Sequence, residues 1–119
     1  MKILIPVDGS VYSDNAVAFV ASRTTLIGQD PEIVLLNVQP PLPARASRLV
    51  SREALADYYE DESEKAFKAV RKILKKSDME AKEISKIGNP AEVIAQIAEE
   101  QKVDLLIMGS HGRSALKGL

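Results

Sequence analysis

An α/β fold, an open parallel sheet with helices on both faces, is what this chain of 119 residues predicts, and three observations carry the prediction. Short apolar runs alternate with segments of helical periodicity along the chain. Three of those runs show no polar–apolar alternation, so both faces of their strands are expected to be covered, as in a parallel sheet. Each of the three stops abruptly at residues suited to turns: Asp8-Gly9-Ser10, Pro40-Pro41 and Gly109.

The elements follow in order. Lys2 to Val7 reads as the first strand. Ser13 to Ile27 has helical spacing, with Ala16, Phe19, Val20 and Ile27 on the inward face and Ser10 or Ser13 as cap. Ile33 to Val38 is the second strand, and Pro40 to Ala44 a stiff loop. From about Arg48 to Lys76 a long helix is expected, with Tyr59, Ala66, Val70 and Ile73 as its apolar stripe. Its acids come first and its bases last, an order that suits the helix dipole and reads by default as a solvated surface. Ala81 to Ile87 alternates, with Ala81, Glu83 and Ser85 on one side and Lys82, Ile84 and Lys86 on the other, which fits a half-exposed edge strand. A third helix begins with Asn89 as cap, Pro90 in the first turn and Glu92 closing a box-like cap, and turns Ile94, Ile97 and Ala98 inward. Leu105 to Met108 is the fourth strand. The crossovers should be right-handed.

Composition narrows the function. The chain reads as one domain over residues 1–119, 45% apolar and 28% charged, the usual balance for a soluble globular protein. A formal net charge of −1 supplies no bulk attraction to nucleic acid or to an acidic membrane, so any bound anion must be held by local geometry. With no cysteine there is no disulfide, thiolate metal site or cysteine nucleophile. No apolar run approaches the ~20 residues that cross a bilayer, and the short start Met1 to Pro6 does not have the length of a signal peptide. The expected location is the cytoplasm, with neither nucleic acid nor membrane as partner.

In an open α/β sheet, ligands sit beyond the carboxyl ends of the strands where the strand order reverses. The ends to inspect are Val7-Asp8-Gly9-Ser10, Val38-Gln39-Pro40 and Met108-Gly109-Ser110-His111-Gly112. The last is the most informative. An apolar run meets a glycine, and a second glycine follows three residues later, a pattern that can deliver main-chain N–H groups to an anion. Glycine at both positions allows φ > 0 and close approach of a ligand. Simpler readings stand beside these: Asp8 as a cap of the first turn, Gly109 and Gly112 as tight-turn residues. His111, the sole histidine, has no companion acid or nucleophile at a clear spacing and reads as a loop residue near the ligand. Gly-x-Gly-x-x-Gly and Walker loops are absent, which argues against dinucleotide oxidoreductases and P-loop ATPases.

Ile3 to Ser10, Gly88-Asn89-Pro90-Ala91 and Asp104 to Arg113 together resemble the universal stress protein family, collinearly and over essentially the whole chain. The resemblance implies a Rossmann-like fold of the adenine nucleotide alpha hydrolase type, usually a homodimer in the cytoplasm, with one branch binding ATP or AMP and another binding no nucleotide. The binding branch carries a glycine, a second three residues on, and a third followed by Ser or Thr. Gly109 and Gly112 match the first two, and the third would fall past Leu119. A final helix and the fifth strand would also follow, so a C-terminally incomplete domain with an exposed fourth-strand edge is expected. Carried over, Pro6, Val7 and Val38 would frame the adenine, and Asp8 would sit at the ribose and phosphate end. Met108 would close the apolar floor, Gly109 and Gly112 would offer N–H groups to phosphate, and His111 and Arg113 would lie beside it. Magnesium is a possible companion of the nucleotide.

Two functions emerge: an ATP- or AMP-binding regulatory module of the stress response, and a nucleotide-free dimerising scaffold of the same fold. Catalysis is not required, beyond at most slow ATP hydrolysis. An adenylating enzyme with a degenerate pyrophosphatase loop is a distant third, because Asp8-Gly9-Ser10 stands where that family has Ser-Gly-Gly. A bulky residue at Gly109 is expected to remove nucleotide affinity while leaving the fold intact.

Overall fold

A computed structural model describes residues 1–23 and 30–109. Four strands, β1 (Lys2–Pro6), β2 (Glu32–Gln39), β3 (Ala81–Ile87) and β4 (Leu105–Leu106), form one parallel sheet in the order β3-β2-β1-β4. Around it lie helices α1 (Val11–Ser22), α2 (Ala44–Ser47), α3 (Arg52–Lys76) and α4 (Pro90–Glu100). The predicted α/β architecture is the one observed. None of the described helices is long and apolar enough to cross a membrane.

Register explains the two-sided core. Ile3 pairs with Ile33 and Ile5 with Leu35, while Leu4 pairs with Val34 and Pro6 with Leu36. Successive side chains point to opposite faces. Ile3, Ile5, Val7, Ile33 and Leu35 therefore pack against Val17 and Val20 of α1 and Phe67, Val70 and Leu74 of α3. Leu4, Val34 and Leu36 face the other way, onto Ile94 and Ile97 of α4. A strand with both faces covered needs no polar alternation, which is why the first two runs read as they do.

Helix caps are local and match expectation. Ser10, Ser51 and Asn89 each accept a hydrogen bond from the main-chain N–H three residues on, at 3.3, 3.0 and 3.1 Å. At the other end α3 and α4 close in the same manner. Met79 N donates to Leu74 O and Val103 N to Ala98 O, with Asp78 and Lys102 at φ 54° and 51°, the left-handed stop usually given to glycine.

Several expectations are corrected. α1 ends at Ser22, and Ile27 lies outside the described residues. Phe19 points outward, 46% exposed, with the Arg23 guanidinium 4.3 Å from its ring centre; Val17 takes the inward place. Part of the loop after Pro43 is helical, as α2, and the long helix starts at Arg52 rather than Arg48. Phe67 and Leu74 dominate its buried stripe, with Tyr59 and Ile73 only half-buried. β4 is a two-residue strand whose leucines are 39% and 40% exposed, not a strand covered on both faces. β3 is an edge strand as expected, bonded only to β2.

Candidate functional site

The strand order locates the site. From β1 the chain steps outward to β2 and β3, then returns to place β4 on the far side of β1. The carboxyl ends of β1 and β4 thus flank the reversal point, where open α/β sheets hold ligands. A cleft of about 180 Å³ opens there. Pro6, Val7 and Asp8 leave β1 into it, Val38 enters from β2, and Met108 and Gly109 close it from beyond β4. Six of the nine residues named from the sequence therefore meet in one cleft. His111, Gly112 and Arg113 lie outside the described residues.

Sequence reasoning did not name Ser10, Tyr12, Ser13, Leu36, Pro90 and Ile94 as lining residues, though they line the same cleft. Leu36 was reachable, since it precedes Val38 by two and shares its face. Pro90 and Ile94 come from the opening turns of α4, whose docking on β2 is a long-range fact.

The turn after β1 is built by its own side chains. Gly9 takes φ 85°, a conformation costly for any residue with a Cβ. Asp8 Oδ1 accepts from Ser10 N at 2.9 Å and from Ser13 Oγ at 3.1 Å. Ser13 Oγ in turn accepts from Asp8 N at 3.3 Å. The turn-capping role of Asp8 is thus real. Among the described residues its Oδ2 makes no hydrogen bond, so one carboxylate oxygen anchors the turn and the other faces outward as an acceptor.

Two opposing effects set the acidity of Asp8. Partial burial acts to raise its pKa, but the hydrogen bonds from Ser10 and Ser13 outweigh it and hold the carboxyl below its ordinary value. A depressed folded-state pKa stabilises above the unfolded value and loses that contribution as pH falls through the lower, folded one. Asp8→Asn should therefore flatten the dependence of thermal stability on pH below about pH 4. Equal slopes for the two proteins would contradict the assignment. Asp14 behaves oppositely: burial, then the nearby charge of Asp8, raise its carboxyl, and its Oδ1 is enclosed without a partner among the described residues.

A polar chain braces the cleft from beneath. Buried Asn37 donates Nδ2 to Val7 O at 2.9 Å and accepts at Oδ1 from Ser63 Oγ at 3.0 Å. Gln39 Nε2 donates to Ser63 Oγ and to Tyr59 O, at 3.0 and 2.7 Å, and Tyr59 Oη accepts from Leu42 N at 2.9 Å. The end of β1, the end of β2 and α3 are locked together, with each donor matched to an acceptor.

Gly109 has a different reason from the one expected. Its φ is not in the left-handed region. Instead its Cα lies against the main chain that opens α1, where a Cβ would stand 2.1 Å from Tyr12 O and 3.0 Å from Ser13 N. The glycine admits the helix rather than the ligand. Substitution there would disturb the fold itself, so loss of affinity with an intact fold is not the outcome this position can give.

Chemically the cleft joins an apolar slot, made by Val38, Leu36, Ile94 and Met108, to a hydroxyl acceptor at Asp8 and to the first turn of α1, whose dipole favours negative charge. Pockets for whole drug-sized ligands run to ~300–1,000 Å³; this one suits a planar base, with the remainder of a ligand lying past Asp8.

These features define an open α/β binding domain with its crevice at the topological reversal. The family model described as Universal stress protein family matches residues 1–119, and the chain belongs to that family. Universal stress protein MJ0577 of Methanocaldococcus jannaschii is 29% identical over 131 aligned residues, covering 98% of this chain and 80% of the relative. A solved structure of MJ0577 aligns at 33% identity with a TM-score of 0.68, over 99% of this chain and 80% of that one. Two more distant structures share the fold. One is a family protein of Arabidopsis thaliana with AMP bound, at 19% identity and a TM-score of 0.69, covering 94% and 78% of the two chains. The other is a universal stress protein in complex with cAMP, at 18% identity and 0.60, covering 89% and 69%.

Proposed function

We propose that the cleft binds an adenine nucleotide, ATP or AMP, and that the chain acts in the cytoplasm as a nucleotide-responsive regulatory module of the stress response. The observation that carries this reading is the convergence of three strand ends, far apart in sequence, on one apolar slot with a free carboxylate oxygen at its mouth. Adenine needs a flat apolar slot with main-chain polar atoms, and a ribose hydroxyl needs an acceptor such as Asp8 Oδ2. Family membership and the nucleotides held by the two distant fold neighbours support the same ligand class. Among the described residues no three potential metal ligands cluster, so a magnesium ion would rest mainly on the phosphates.

Native mass spectrometry of the freshly purified chain tests the proposal. The expected result is a mass increment of an adenine nucleotide, present on isolation or after ATP or AMP is added. Val38→Trp fills the slot from its wall and should weaken binding about ten-fold or more with little change in melting temperature. A chain that stays bare with either nucleotide would favour the scaffold reading and overturn this one.

A further inference from the structure

The charges of α3 are sorted in a way that a solvated helix does not require. Every Asp, Glu, Lys and Arg from Glu53 to Glu64 is acidic, and every one from Lys65 to Lys76 is basic. A helix dipole favours that order only in the first and last turns and does not account for a reversal at the helix midpoint. Within one chain the sorting is unfavourable. Glu53, Asp57 and Asp61 recur every four residues, as do Lys68, Lys72 and Lys76, and like charges at that spacing destabilise a helix. All six are exposed, and among the described residues none of them forms an ion pair.

Their placement on the helix is equally ordered. At about 100° per residue the six fall on one stripe, centred roughly 150° round from the buried Ser63, Ala66, Phe67, Val70 and Leu74. Turned end for end, the stripe matches itself. About a two-fold axis between Glu64 and Lys65, Glu53 meets Lys76 of a second copy, Asp57 meets Lys72 and Asp61 meets Lys68, and each pairing recurs by symmetry. Glu64 is excluded because Arg71 of its own chain grips both its oxygens while also bonding both oxygens of Glu83 on β3.

We propose that the outward face of α3 is a docking surface for the same face of a second copy of this chain, packed antiparallel. Complementary charge is the argument: the pairing relieves the like-charge spacing that each chain carries alone. Tyr58 is the one large exposed apolar side chain of α3, so the association rests on charge and is weak and sensitive to salt. The surface belongs to the α1 and α3 side of the sheet, remote from the edge strand β4.

Sedimentation velocity on the full chain at millimolar concentration provides the test. Wild-type protein should self-associate at low salt, with affinity falling about ten-fold or more between ~50 and ~500 mM NaCl. The triple variants Glu53→Lys, Asp57→Lys, Asp61→Lys and Lys68→Glu, Lys72→Glu, Lys76→Glu should each be monomeric. Mixed in equal amounts they should associate again, because an all-basic stripe then faces an all-acidic one. The neutral variant Glu53→Gln, Asp57→Asn, Asp61→Asn, which carries no reversed charge at the helix start, should keep the native circular dichroism and lose the association. A wild-type chain that is monomeric at low salt would overturn the proposal. So would self-association of the neutral variant at wild-type strength, or a mixture of folded reversal variants that remains monomeric.

Discussion

Asn37→Asp should be among the most damaging single substitutions in the chain, lowering stability by about 3 kcal/mol or more at neutral pH. The side chain is 4% exposed, and its amide is the donor to Val7 O. A carboxylate in its place turns that donor into an acceptor aimed at another acceptor, with a charge that burial cannot solvate. The melting temperature should fall on the order of 10 °C. The sign of the pH dependence follows from the same geometry. Burial and the facing carbonyl raise the folded pKa of the new acid above its unfolded value, so the protonated form is favoured in the fold. The defect should shrink as pH falls through that raised pKa and be least below the unfolded value near 3.9. Denaturant melts of wild type and variant at pH 7 and pH 4 check this, and a pH-independent difference would refute it.

Gly109→Val ranks with it. A Cβ at this position meets the main chain of Tyr12 and Ser13 rather than the end of a flexible side chain, so no rotamer change relieves it. Either the segment after β4 or the start of α1 has to move, at a cost of order 3 kcal/mol. Because the collision is with Cβ itself, Gly109→Ala should also be destabilising. Chemical denaturation of both variants is decisive. Values within about 0.5 kcal/mol of wild type would mean that the close approach does not exist in solution.

The fold was legible because its signals are local. Unalternated runs around Ile3 to Ile5 and Ile33 to Leu36 announce doubly covered strands, and Ser10 and Asn89 announce helix starts through bonds that span three residues. The ends of those strands could be named as a site by topology alone, and six of the residues named there converge. What escaped reading depends on partners distant in sequence. Nothing near Gly109 shows that Tyr12 lies against it, and nothing near Phe19 shows that Arg23 rather than the core covers its ring. Leu105 and Leu106 look like any buried strand, because a run of leucines does not state how many neighbours the strand has. Asn37 is the instructive intermediate. One amide within an apolar strand signals a buried polar group that must be bonded, but only the packed chain reveals Val7 O and Ser63 as its partners.

β4 pairs with β1 through Ile3 with Leu105 and Leu4 with Leu106, which are among the longest separations along the chain that the sheet contains. Such contacts close slowly, because the entropy of a long loop is lost before they form. The nucleotide cleft is thereby a late product of folding and of synthesis. A nascent chain carries Asp8, Val38 and Pro90 well before Met108 and Gly109 are made, and a chain arrested between them would hold the Asp8 turn without a cleft to close over a ligand. Affinity for the ligand thus serves as a clock for the last native pairing, arising only once the two ends of the sequence have met.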